Sequence, residues 1–222
     1  MEDRDLAEAL NDIFAGLKRC YGKYVLSGVI RQDGKLEGRG TLCREELNSH
    51  VWLKEHLKGE GIGVIPINDE CKCNFGAIDI DLYNGFDPIA LAKKIADLQL
   101  PLILCRSKSG GAHVFCFTRE HVPAQLMIDK LREFASGLGI GNLYDKVFPS
   151  QSFINKERGD IGNWINIPYA KGAETKRYAY GNHGEPLLIE EFIKKVRLVS
   201  VTEEELRNTF IKTTDVLVDG PP

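Results

Sequence analysis

Two short segments of the chain contain residue types that can bind metal ions and phosphate groups. Asp79 and Asp81 alternate with apolar residues in the run FGAIDIDL, and 32 residues after Asp81 His113 ends the run SKSGGAH. Carboxylate oxygens are the ligands that Mg²⁺ and Mn²⁺ prefer, and a turn rich in glycine and hydroxyl groups can donate several hydrogen bonds to phosphate oxygens. Together the segments predict a divalent-metal site beside a polyphosphate site.

The run FGAIDIDL has the period of two that is typical of a β-strand. Side chains two positions apart point to the same face of a strand, so Asp79 and Asp81 project together. The predicted core side is formed by Ile78, Ile80 and Leu82. The two aspartate Cα atoms are expected about 6–7 Å apart, and carboxylates at that spacing can bridge two metal ions. The alternative is a strand with one solvated face, although aspartate is depleted in strands and neighbouring like charges repel.

The second segment predicts a hairpin turn between the apolar runs LILC and VFCF. Gly110 and Gly111 permit positive φ and let a ligand approach the backbone N–H groups closely. The other groups that can bind phosphate are two cationic side chains, two hydroxyls and one imidazole, from Arg106, Lys108, Ser107, Ser109 and His113. The turn is not a Walker A loop, which requires GxxxxGK[ST] before a helix. The alternative is an ordinary hairpin turn with an unrelated histidine.

In this order the two segments resemble motifs I and II of the archaeo-eukaryotic primase superfamily, which supply metal ligands and bind the phosphates of the incoming nucleotide. YDKVFPSQ at residues 144–151 resembles the third motif, and GNWINIP at residues 162–168 resembles the G-N-x-I-x-L-P segment of phage and mobile-element primase-polymerases, including those of TOTE-type conflict systems. GVIP at residues 63–66 matches the same layout. The similarity runs collinearly through roughly residues 40–175, which is more specific than any single motif. Relatives separate the two glycines of motif II, so either Ser107 or Ser109 could contact the phosphates.

The resemblance implies a nucleotidyl transferase that uses two Mg²⁺ or Mn²⁺ ions and an NTP or dNTP substrate. The implied metal ligands are Asp79, Asp81 and Asp145. Asp129 and Asp160 also lie between the second motif and the GNWINIP segment, but the first falls within a predicted helix and the second in a glycine-flanked loop. The implied nucleotide-binding residues are Arg106, Ser107, Lys108, Ser109, Gly110, His113, Asn163 and Lys171, of which His113 is also expected to be catalytic.

The resemblance also implies an α+β fold, with an RRM-like catalytic sheet joined to an α/β N-terminal unit and the active site in the cleft between them. The predicted divisions are residues 1–40 with the N-terminal helix and short strands, residues 41–200 as the primase-polymerase core, and residues 201–222 as a helix and tail leading to a further helicase domain. The expected activity is synthesis or extension of primers on a single-stranded DNA template. The alternatives are an inactive nucleic-acid-binding module and a metal-dependent phosphodiesterase or nuclease.

Composition agrees with a soluble globular protein, at 43% hydrophobic and 27% charged residues. No apolar run reaches about 18 residues, and the acidic start MEDRDLAEALNDIF is unlike a signal peptide, so the sequence predicts a cytoplasmic protein without a membrane span. The net charge is −3, yet residues 101–197 contain 14 lysines and arginines against 10 aspartates and glutamates. The candidates for contact with nucleic-acid phosphates are Lys146, Lys156, Arg158, Lys171, Lys176 and Arg177.

The six cysteines fit a reducing compartment, and two of them form the pair Cys71 and Cys73. That pair would be half of a zinc site with Cys43 or His50, but no second pair follows at a suitable spacing, so a zinc site is not favoured. Helical periodicity and caps predict helices over residues 3–19, 44–57, 88–98, 123–136, 188–197 and 203–211. Strands are predicted over residues 62–67, 75–82, 102–105, 114–117 and 164–168.

Overall fold

The framework of the chain is a pair of antiparallel sheets. A computed structural model describes residues 1–30, 32, 36–82, 86–141 and 147–211, and within these ranges each sheet has four strands. The first sheet has the order β2-β1-β3-β8, with the bounds β1 Tyr21–Ile30, β2 Leu36–Cys43, β3 Ile62–Val64 and β8 Ile165–Asn166. The second sheet has the order β5-β6-β4-β7, with the bounds β4 Lys72–Ile80, β5 Leu102–Arg106, β6 Ala112–Pro123 and β7 Val147–Phe148.

Helices pack against both sheets. Their bounds are α1 Asp3–Ile13, α2 Ser49–Val51 continuing as a π-helix over Trp52–Leu57, α3 Pro88–Asp97, α4 Ala124–Gly137, α5 Ile189–Val199 and α6 Glu203–Asn208. Asp87 accepts hydrogen bonds from the N–H groups of Ile89 and Ala90, with Pro88 in the first helical turn. The combination of two antiparallel sheets with packed helices confirms the predicted α+β fold class. No helix of the described residues is long and apolar enough to cross a membrane.

The second sheet separates two apolar clusters. On one face, Ile78, Val114 and their neighbours pack under α3 and α4. On the other face, the rings of β4 and β6 pack beneath the first sheet, α1 and α5. Phe14 is central to this second cluster, because its ring centroid lies 5.1 Å from Phe75 and 5.5 Å from Phe117. The second sheet thus lies between two packed apolar clusters, one on each face.

Several boundaries differ from the sequence-based prediction. Helix α1 ends at Ile13 rather than at residue 19, because the backbone at Gly16 runs against the carbonyl of Ile65 with no room for a Cβ atom. Strand β8 is shorter than predicted, and the pairing of β1 with both β2 and β3 was not anticipated. The predicted division at residue 40 therefore falls inside β2, within one continuous sheet. Leu82 is 46% exposed and does not face the core, because β4 ends before it.

His56 is a buried histidine that fixes the π-helix to the first sheet. Its Nε2 lies 2.8 Å from the carbonyl oxygen of Pro168, and its Nδ1 accepts a hydrogen bond from the N–H of Ile62. Burial lowers the pKa of His56 from 6.5 to about 3. Between these two pH values the unfolded chain binds a proton that the folded chain does not, so stability decreases as the pH falls.

His56→Gln should therefore make the stability of the protein less dependent on pH, because glutamine can replace both hydrogen bonds without titrating. We expect the wild type to lose about 2 kcal/mol more than the variant between pH 7 and pH 5. Urea denaturation at the two pH values measures the difference. Equal losses in the two proteins would show that His56 does not control this pH dependence.

Candidate active site

Asp79 and His113 face each other on neighbouring strands. Strands β4 and β6 are paired so that Asp79 lies opposite His113, and on the other side of His113 lies Cys105 of β5. Directly opposed side chains share a face of the sheet. Asp79 Oδ1 is 3.3 Å from His113 Nε2, and the two side chains are 21% and 8% exposed. The pair therefore lies at the margin of the core, where an accessible group adjoins a buried one.

Asp81 lies two positions beyond Asp79, just after the last residue of β4, and it is partly exposed. The predicted third ligand, Asp145, lies outside the described residues, as do Tyr144 and Lys146. The two other candidates have local partners: Asp129 accepts a hydrogen bond from Gln125, and Asp160 accepts one from the N–H of Asn155. The structure thus brings Asp79 and His113 together. Asp81 follows Asp79 by two positions.

The donor groups at this end of the sheet are carboxylates. Among the described residues, no three histidine, cysteine, aspartate or glutamate side chains cluster closely enough to bind a metal ion. The same finding leaves Cys71 and Cys73 without a zinc site in this part of the chain. Asp79 and Asp81 offer hard oxygen ligands, and Mg²⁺ is often bound by one or two carboxylates together with substrate phosphates. The donor chemistry therefore fits Mg²⁺ or Mn²⁺.

The hairpin between β5 and β6 is shaped by its two glycines in different ways. The Ser107 N–H donates to the Gly111 carbonyl at 2.9 Å, and the Gly110 N–H donates to the Ser107 carbonyl at 3.3 Å. Gly110 has a φ of 96°, in the left-handed region. Gly111 is not in that region, but a Cβ atom there would overlap the carbonyl of Ile80. Only Gly110 serves the turn conformation, whereas Gly111 allows the hairpin to lie against the end of β4.

Gly111→Ala should displace the hairpin from β4 and destabilise the protein by about 1–3 kcal/mol. We expect nucleotide-dependent activity to fall as well, because the residues of the turn would move relative to Asp79. Thermal unfolding and a kinetic assay measure the two effects. Gly28→Ala is the control for backbone strain alone, since Gly28 has a φ of 80° but no atom lies within 4 Å of an added Cβ. Unaltered kinetics in Gly111→Ala would contradict the inferred role of this contact.

The side chains of the hairpin point in different directions. Ser107 is buried, and Ser109 is partly exposed. The Lys108 ammonium lies 2.9 Å from the centroid of the Tyr24 ring on β1, which connects the hairpin to the first sheet. Arg106 pairs with Ala112, so alternation places its side chain on the face opposite to that of His113. Its Nη1 donates to the carbonyl of Lys176 at 3.0 Å.

Two further predicted nucleotide-binding residues lie outside the hairpin. Asn163 is exposed and donates from Nδ2 to Ser150 Oγ at 3.2 Å. Lys171 forms an ion pair with Glu60 at 2.8 Å. The contact of Asn163, Lys171 and Arg106 with a nucleotide stays a prediction. In the described structure, no hydrogen bond or ion pair joins Asn163 or Lys171 to Asp79.

Two residues beside the hairpin were missed by the sequence-based search. Trp164 stands within the GNWINIP segment, and its indole lies over Gly22, Gly40 and Gly63 on three neighbouring strands. Tyr24 contacts Lys108, as described above. The sequence does contain a signal for this contact, namely a tryptophan in a motif together with glycines inside strands. That signal becomes informative only when the pairing of β1, β2 and β3 is known.

The order of the motifs is that of an archaeo-eukaryotic primase domain. The family model of the TOTE conflict system, Archaeo-Eukaryotic Primase domain (AEP-TOTE), matches residues 41–199, and the chain belongs to this family. Among solved structures it is similar to the AEP domain of the cyanophage S-2L primase-polymerase, with 11% identity, a TM-score of 0.45, and coverage of 87% of this chain and 97% of that one. No curated protein sequence matches the chain.

Proposed function

We propose that this domain is a DNA-templated nucleotidyl transferase that synthesises or extends primers on single-stranded DNA with two Mg²⁺ or Mn²⁺ ions. The observation that carries the proposal is the contact between Asp79 and His113 beside the glycine-rich hairpin. A carboxylate for metal binding and a group that can donate to phosphate are thereby adjacent on two paired strands. Membership of the primase family supports the same reaction class.

In the proposed reaction, the primer 3′-oxygen forms a bond to the α-phosphorus, and the bond from that phosphorus to the pyrophosphate breaks. Asp79 and Asp81 would hold the metal ions, with Asp145 as the proposed third ligand. The ions, when bound, supply Lewis acidity toward the attacking and leaving oxygens. His113 donates a hydrogen bond to a phosphate oxygen, and Lys108 neutralises part of the charge on the triphosphate. Ser107 or Ser109 adds a hydroxyl donor.

The proposed nucleic-acid partners are a single-stranded template and a primer. Lys176 is exposed, and its carbonyl accepts the hydrogen bond from Arg106. Two other candidates for phosphate contact form ion pairs with acidic groups. Lys156 lies 3.8 Å from Asp69, and Arg158 lies 3.6 Å from Asp160. Binding should therefore be weak and sensitive to salt. A helicase, fused or associated, is the proposed further partner.

The test is incubation of the protein with a labelled primer-template, Mn²⁺ and either dNTPs or NTPs. Elongation of the primer supports the proposal. Shortening of the labelled strand would instead identify a phosphodiesterase or nuclease, and a mobility shift without any change in length would identify a binding module. The dNTP and NTP reactions, run side by side, also determine which sugar the domain prefers.

A further inference from the structure

Trp164 lies flat on a surface made of backbone. An added Cβ would overlap the pyrrole ring at Gly63 and the ring-fusion atoms at Gly22, and at Gly40 it would lie 3.0 Å from Cζ2. These positions belong to β3, β1 and β2, which are neighbours in the first sheet. The long axis of the indole therefore crosses three strands, with one ring face on the sheet. Trp164 is partly exposed, and it also packs against the apolar cluster that contains Ile78 and Val114.

Tyr24 lies between Trp164 and the hairpin that joins β5 and β6. Tyr24 Cδ2 lies 3.7 Å from the same Cβ position at Gly40, so Tyr24 and the six-membered ring of the indole lie near the same glycine. On its other side Tyr24 contacts the ammonium of Lys108. An aromatic surface, consisting of Trp164 and Tyr24, thus extends from the hairpin across the first sheet. This surface adjoins the hairpin that is proposed to bind the phosphates of the nucleotide.

The glycines are not the residues that packing alone would favour. Glycine inside a strand costs about 0.5–1 kcal/mol and gives no side chain to the sheet, and it often marks a close approach. Here the three glycines allow the indole of Trp164 to lie directly against the backbone of the sheet. The indole then offers a planar surface fixed at a defined height, on which any of the four bases can stack, because every base has a π-face.

We propose that the base of the incoming nucleotide stacks on the outer face of Trp164 while the hairpin binds its triphosphate. This inference rests on the proposed function, because it assumes that the hairpin binds nucleotide phosphates. It adds a base-binding residue to that function. Stacking on an aromatic side chain is sequence-tolerant, and this property suits an enzyme in which the template selects the nucleotide.

Tryptophan emission provides a direct test, because the chain has two tryptophans and the other, Trp52, is fully buried. We expect each dNTP, added with Mn²⁺ in the absence of DNA, to quench the emission of the wild-type protein in a saturable manner. Inorganic tripolyphosphate should not quench it, because it has no base. Trp164→Phe, which retains Trp52, should show no quenching by dNTP. Quenching by a single-stranded oligonucleotide but not by dNTP would overturn the proposal in favour of a template base.

Kinetics separate stacking from a merely structural role of Trp164. Trp164→Ala should raise the apparent KM for dNTP about tenfold or more, and Trp164→Phe should restore most of the loss. The inhibition constant of tripolyphosphate should not change, because the hairpin is intact. A parallel rise in that inhibition constant would show that the variant has distorted the site, and would overturn the assignment. Phe210→Ala removes an exposed aromatic ring elsewhere and is the control.

The two proposals fail in different ways. If wild-type protein extends primers but its emission is unchanged at saturating dNTP, the stacking inference is wrong and the proposed function stands. If wild-type protein neither extends primers nor responds to dNTP, the proposed function is wrong, and the stacking inference is withdrawn with it.

Discussion

Asp79→Ala and Asp81→Ala should each lower the rate of nucleotide incorporation by about a thousandfold or more. Each substitution removes a carboxylate that is proposed to hold a divalent ion, and metal ions contribute several kcal/mol of transition-state stabilisation in phosphoryl transfer. Because Asp79 is partly exposed and Asp81 follows the end of β4, neither change opens a cavity in the core. Steady-state primer extension with Mn²⁺ measures the effect, and circular dichroism checks the fold.

Asp97→Ala is the matched control, since Asp97 is an exposed aspartate at the end of α3. We expect this variant to extend primers at the wild-type rate. Primer extension retained in Asp79→Ala or in Asp81→Ala would refute the assignment of that residue as a metal ligand. Raising the Mn²⁺ concentration provides a second measurement, because a weakened metal site should recover part of its activity.

His113→Ala is expected to raise the apparent KM for nucleotide and to lower kcat. A hydrogen bond to a charged group contributes about 1.5–3 kcal/mol, so kcat/KM should fall about ten- to a hundredfold. Part of the effect would come from Asp79, which loses the imidazole that lies 3.3 Å from its Oδ1. Initial rates over a range of dNTP concentrations separate the change in KM from the change in kcat.

Two comparison variants make this result specific. His183→Ala removes an exposed histidine whose side chain lies outside the hairpin, and its kinetics should match the wild type. His113→Gln retains a donor and should recover part of the lost activity. If His113→Ala leaves the nucleotide dependence unchanged, the imidazole does not contribute to the phosphate site.

The parts of the fold that sequence could predict are those specified by local patterns. Alternation in FGAIDIDL predicts β4, the apolar runs around SKSGGAH predict β5 and β6, and Asp87 followed by Pro88 predicts the start of α3. Each of these features depends on residues that are close in sequence. The pairing of Asp79 with His113 does not belong to this group, because α3 and β5 separate β4 from β6 along the chain.

Other features depend on pairing between distant segments and could not be predicted. Which side of the sheet Arg106 faces depends on the register of the hairpin, and that register places it opposite Ala112. The surface under Trp164 requires that β1, β2 and β3 be neighbours, which no local pattern in the chain specifies. Tertiary contacts also set the end of α1, because Gly16 is pressed against the carbonyl of Ile65.

The position of β1 in the middle of the first sheet has a consequence for how much chain the domain needs. The family model begins at residue 41, after β1 and inside β2. A fragment cut at that boundary would leave the backbone N–H and C=O groups of β3 unpaired along one edge, and it would lack Phe14 at the centre of the aromatic cluster. Exposed strand edges promote association between chains. A fragment that begins at residue 41 should therefore be less stable, and more prone to associate, than one that includes α1 and β1.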